Sequence, residues 1–193
     1  MTIEGPTLFM SNHQFPPRMW PAMIELGYRF RNTEFVCDAP FALFLNLVGL
    51  HTINVDTTKF ISRTGDQKAI AKHRLISMLG SITAINIEIL REGSSIERIC
   101  DTLTSGKNVF ICPQTITKEN APWRKGVGVV CKNVDLDRVR AGFVFVPKPI
   151  HKGAQIYFPP VTIGSLIPNH NELDPAGVVK QLEKQYIETY GHL

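Results

Sequence analysis

Short apolar runs rich in β-branched and aromatic residues recur along the chain, bounded by turn-forming residues. They cover residues 7–10, 34–37, 51–55, 108–112, 142–146, 155–158 and 161–163, with a further run at 82–89. Such runs predict strands. Those at 108–112 and 142–146 are apolar enough to predict complete burial. Helical patterns lie between them. Ile96, Ile99, Cys100 and Leu103 recur at the spacing of one helix face, Ser94 and Glu97 read as a capping box, and Gly106 supplies a stop. Residues 66–79 form a second candidate helix, with apolar Ile70, Leu75, Met78 and Leu79. Asp174 followed by Pro175 predicts an N-cap. Val178, Val179, Leu182, Tyr186 and Tyr190 then share one side of a C-terminal helix. A further helix is expected over about residues 18–26.

Strands alternating with helices predict an α/β fold with a mostly parallel, mixed sheet flanked by helices. No internal repeat or Gly/Ser-rich linker divides the chain, so residues 1–193 read as one domain. In such folds sites gather at the carboxyl ends of strands.

Composition narrows the classes. Hydrophobic residues make up 44% and charged residues 20%, which fits a globular core rather than disorder. The net charge of +4 suits anionic small molecules or an anionic membrane surface and is too small to argue for nucleic acid. Cys37, Cys100, Cys112 and Cys131 show no CxxC pair and no zinc-finger spacing, so they read as core thiols of a reducing compartment, and no metal is expected. The start of the chain lacks the basic and apolar stretches of a signal peptide, so none is expected. Residues 41–50 are the most apolar stretch, at about half the ~20 residues a membrane span needs. They read either as core or, with Phe15, Trp20 and Arg18, as a peripheral contact with a membrane. The expected location is the cytoplasm, with the cytoplasmic face of a membrane as the surface touched.

Three segments could carry chemistry. Asn12 and His13 follow the first strand, where an imidazole can act as a general base or sit idle beside a turn. Arg91 follows the run ending at Leu90 and suits either phosphate binding or a surface ion pair. Cys112, Pro113, Gln114 and Thr115 end a buried strand, and Pro122, Trp123, Arg124, Lys125 and Gly126 follow. That loop could cradle an anionic head group, or simply form a turn with Trp123 packed on the core. No P-loop, dinucleotide loop, GxSxG or HExxH motif occurs.

In order and spacing these segments resemble the glycerol-phosphate and lysophospholipid acyltransferase family over nearly the whole chain. Ser11, Asn12 and His13 stand at its Asn-His-x4-Asp motif. Ile89, Leu90 and Arg91 look like its Arg-ending strand. The run to Pro113 looks like the approach to its Phe-Pro-Glu-Gly-Thr motif, with Gln114, Thr115 and Ile116 in place of Glu, Gly and Thr. Residues 122–126 resemble its aromatic–basic–glycine segment, and Phe143 to Pro147 its Val-Pro strand. Arg18 stands where the family has the Asp that orients the imidazole. A guanidinium cannot accept an imidazole N–H.

The resemblance implies phospholipid biosynthesis: acyl transfer from acyl-CoA or acyl carrier protein, as co-substrate, to a hydroxyl of a lysophospholipid or related acceptor. No resident cofactor is implied. His13 would be the base, with Asp38, after the second strand, as substitute for the missing Asp. Asn12, Arg18, Arg91, Gln114, Thr115, Arg124 and Lys125 would line the substrate site. A catalytically inactive relative that binds lipid or an anionic membrane surface is the alternative, with Arg18 as an anion ligand. A plain protein-binding α/β domain is a third reading, which expects His13, Arg91 and Gln114 far apart.

Overall fold

The computed structural model of the chain describes residues 5–12, 16–37, 39–55, 71, 75, 78, 89–90, 92–114, 122–135, 138–148, 150–152, 155–157, 160–166 and 173–191. The sheet is built on β1 (Thr7–Met10), whose four residues are all buried. β2 (Thr33–Cys37), β3 (His51–Val55), β4 (Ile89–Leu90), β5 (Asn108–Ile111), β6 (Arg140–Phe145) and β9 (Thr162–Leu166) join it in the order β4-β3-β2-β5-β1-β6-β9. Every pairing is parallel except β6 with β9. A strand with parallel neighbours on both sides must find apolar cover on both faces, which is why β1 carries no alternation. β7 (Ile150–Lys152) and β8 (Gln155–Tyr157) form a separate antiparallel ribbon between β6 and β9.

Helices cover both faces. On one, α1 (Pro16–Arg29) and α2 (Ala39–Leu47) pack Met19, Ala22, Met23, Leu26 and Leu45 against Phe9, Phe35, Phe110 and Val144. On the other, α3 (Glu92–Thr104), α4 (Lys125–Asn133) and α5 (Pro175–Tyr190) pack Leu103, Val127, Val130, Val178 and Leu182 against Leu8, Ile53, Val109 and Phe143. This is a single α/β domain with a mostly parallel mixed sheet flanked by helices, as the alternation predicts.

Boundaries depart from expectation for physical reasons. The C-terminal helix begins as read: Asp174 accepts the Gly177 N–H at 2.8 Å and Pro175 follows at the first position. α3 also ends as read, with Gly106 at φ +88° in the left-handed region. Its start does not. The helix opens at Glu92, so the backbone of Ser94 lies within its first turn rather than at the N-cap. Glu92, next to the helix's positive end, is the acidic residue favoured there. α1 is longer than residues 18–26 because Pro16 and Pro17 occupy first-turn positions that need no N–H donor. The strands at 108–112 and 142–146 are buried at their centres and half-buried at Asn108, Ile111 and Phe145. Of the candidate helix at 66–79, Ala71, Leu75 and Met78 are described, and all three are helical and exposed. Residues 82–88 of the candidate strand lie outside the described residues.

α4 has no counterpart in the hydrophobic pattern. Its Gly126, Val127, Gly128, Val129 and Val130 are poor helix formers. Packing overrides propensity here. A Cβ at Gly128 would run into the Pro175 carbonyl, so the glycine lets α4 and α5 touch backbone to backbone.

Candidate active site

The carboxyl ends of the parallel strands line up along one edge of the sheet. Met10 lies opposite Ile111 and Phe143, Cys37 opposite Asn54, and Val55 opposite Leu90. At this edge β1 ends at Met10, β2 at Cys37, β4 at Leu90 and β5 at Ile111, with Gln114 shortly after.

Ser11 continues the ladder through its N–H to the Ile111 carbonyl at 3.2 Å. Its side chain is fully buried. Asn12 accepts the indole N–H of Trp123 at Oδ1, at 2.8 Å. Trp123 is 6% exposed and packs edge-on against Phe143 and at a tilt against Tyr186. Its own backbone N–H reaches Glu183 Oε1 at 3.3 Å, and the next N–H, of Arg124, donates to the Pro113 carbonyl at 3.0 Å. The end of β1, the end of β5 and the start of α4 are thus stitched into one unit.

Below it sits Tyr186, whose hydroxyl donates to the Val144 carbonyl at 3.3 Å. Burial pushes its pKa up to about 12, against the lowering influence of the Ser11 hydroxyl and the Asn12 backbone. Burial likewise raises the Cys112 thiol, at the end of β5, to about 12, so it is no nucleophile. All four cysteines are free thiols. Among the described residues no three His, Cys, Asp or Glu side chains form a metal-binding group.

Of the residues read from sequence, Asn12, Gln114, Arg124 and Lys125 are brought together around this unit. Gln114 is buried, whereas Arg124 and Lys125 are exposed at the head of α4. Arg18 belongs to the first turn of α1, which starts at the same edge. His13, Asp38, Arg91 and Thr115 lie outside the described residues. The strands that precede them in sequence are described. β2 is two places from β1, about 10 Å at ~4.8 Å per strand. β4 is four places away, about 19 Å.

Comparison with protein families, curated proteins and solved structures finds no match to this chain. Sequence reasoning missed the roles of Trp123, Tyr186 and Glu183 in holding the edge together. The available signal was chemical: a buried Tyr or Trp needs a partner for its polar atom. Asn54, on β3 one residue short of the edge, also went unnoticed; its buried Oδ1 has no partner among the described residues.

Proposed function

We propose that the protein is an acyltransferase acting at the carboxyl edge of β1 and β5. It moves an acyl group from acyl-CoA or acyl carrier protein to a hydroxyl of a lysophospholipid or related acceptor. The observation that carries this reading is the Trp123–Asn12 hydrogen bond. It joins the residue before His13 to the aromatic–basic–glycine segment, two parts of the resemblance 111 positions apart in sequence.

In this mechanism His13 takes the proton of the acceptor hydroxyl as its oxygen attacks the thioester carbonyl carbon. The tetrahedral intermediate collapses with cleavage of the C–S bond, and the proton passes to the leaving thiolate. Backbone donors around Gln114 and Thr115 stabilise the oxyanion. Asp38 orients the imidazole across the roughly 10 Å between β1 and β2. Arg124 and Lys125, beside Trp123, hold the acceptor phosphate. An acceptor as short as a glycerol phosphate cannot also span to β4. Arg91 is therefore assigned to the distant phosphates of the long coenzyme A arm.

The test is thiol release from a long-chain acyl-CoA with and without lysophosphatidate, comparing wild type with His13→Ala. Acceptor-dependent release lost in His13→Ala is the expected result. Arg18, at the position of the family's Asp and in the first turn of α1, favours the second reading, an inactive lipid binder. No release in a protein that retains lysolipid would establish that reading instead.

A further inference from the structure

The β7–β8 ribbon follows directly on the carboxyl end of β6, the edge that carries the candidate site. It pairs Ile150 with Tyr157, His151 with Ile156 and Lys152 with Gln155, and its strands join neither edge of the main sheet. Strand alternation puts Ile150 and Lys152 on one face and Ile156 and His151 on the other. Ile150 is 45% exposed and Ile156 56%, so an apolar side chain projects from both faces. Two-stranded ribbons are marginal alone in water, and exposed isoleucines add no core. The local sequence is basic. Lys148, His151 and Lys152 are exposed, and residues 138–171 contain no Asp or Glu at all.

We infer that this ribbon is a docking element for an anionic lipid surface. Basic and apolar side chains interleaved on an exposed, separate ribbon fit the headgroup region of a bilayer: lysines meet lipid phosphates while isoleucines enter the acyl boundary. A stable protein interface buries about 800 Å² per partner, more than two short strands present, whereas a membrane engages a few side chains at a time. A second apolar point lies toward the same edge. Trp20, one turn into α1, stacks on Phe44 of α2 at 4.3 Å between ring centroids and stays partly exposed. Val161, where the chain returns from the ribbon, is bonded to α1 through Glu25 and Arg29. Docking there would set the site edge against the membrane that supplies the acceptor. The inference in this respect rests on the acyltransferase reading, but lipid binding is measured without it.

The experiment is co-sedimentation of the full chain with vesicles of phosphatidylcholine alone or of phosphatidylcholine with phosphatidylglycerol, without acyl-CoA or lysolipid. Binding confined to the anionic vesicles is expected. Lys148→Gln/Lys152→Gln should weaken it about thirtyfold, at the usual contribution of a lysine near an anionic surface. Ile150→Ser/Ile156→Ser should abolish it, with the circular dichroism spectrum of both variants unchanged. Equal binding to neutral vesicles, or binding untouched by both double variants, would overturn the proposal. So would absence of vesicle binding with a sedimenting dimer that Ile150→Ser/Ile156→Ser dissolves, which would make the ribbon a contact between two copies. Vesicle binding without thiol release would leave the docking element standing and remove the enzyme.

Discussion

Trp123 shows how much rests on one donor. Replacing it by Phe keeps the ring packing against Phe143 and Tyr186 but strands the Asn12 carbonyl. Loss of a partly buried hydrogen bond of this kind costs about 1 kcal/mol, so Trp123→Phe should lower the urea midpoint by that equivalent. The site residues also make separable kinetic claims. If the proposed acyl transfer holds, Arg91→Ala should raise KM for acyl-CoA about tenfold and leave KM for the acceptor unchanged, while Arg124→Ala should do the reverse. A single KM moved by both variants would refute the division of phosphates between them. At the foot of the sheet, Glu34 is buried between Lys107 Nζ at 2.8 Å and Thr102 Oγ1 at 3.3 Å. Because Lys107 is half exposed, Glu34→Ala should cost only about 1–2 kcal/mol, measured by the same titration.

Elements were legible where burial is one-sided or complete. α5 declares itself through Asp174, Pro175 and a stripe of Val178, Leu182 and Tyr186, and the central strands through unbroken apolar runs. α4 did not, because its helicity is imposed by neighbours: Gly128 is there for the close approach of Pro175, and nothing local says so. Of the ribbon, β8 answers to the strand expected at 155–158, but β7 had no such signal. β7 has both faces in solvent, so no alternation marks it. In the candidate site, Asn12 and Gln114 could be placed at strand ends by pattern alone. Their clustering depends on β5 inserting between β1 and β2, a choice no periodicity records. The α4 claim has its own check. Gly128→Ala should destabilise the fold by about 3 kcal/mol, because the obstacle is backbone that cannot swing aside. Gly126→Ala, whose nearest neighbour is a flexible side-chain end at 4.0 Å, should be tolerated or stabilising by a few tenths.

At the scale of the whole molecule, burial of neutral acids makes stability fall on the alkaline side. Cys112 and Cys131 are held at about 12 from an ordinary 9.0, and Tyr186 at about 12 from an ordinary 10.0, burial being the main cause in each. The unfolded chain therefore releases these protons first. Their contribution is complete below pH 9 and is lost as pH rises from 9 to 12. Urea midpoints should be flat in this respect below pH 9 and decline above it. Cys112 and Cys131 should stay unreactive to thiol reagents until the protein unfolds.

The strand order also has a consequence for biosynthesis. β1 emerges from the ribosome first, yet its partners are β5 and β6; Phe9 pairs with Phe110 and then with Gly142. At roughly 5–20 residues per second, the four apolar or buried positions of β1 wait on the order of 10 s for their second neighbour. During that interval β2 and β3 can already pair with each other, while β1 remains a sticky end with nothing to close on. A nascent chain built this way is a natural client for holding chaperones, and any truncation before β6 should emerge as aggregate rather than as a smaller domain.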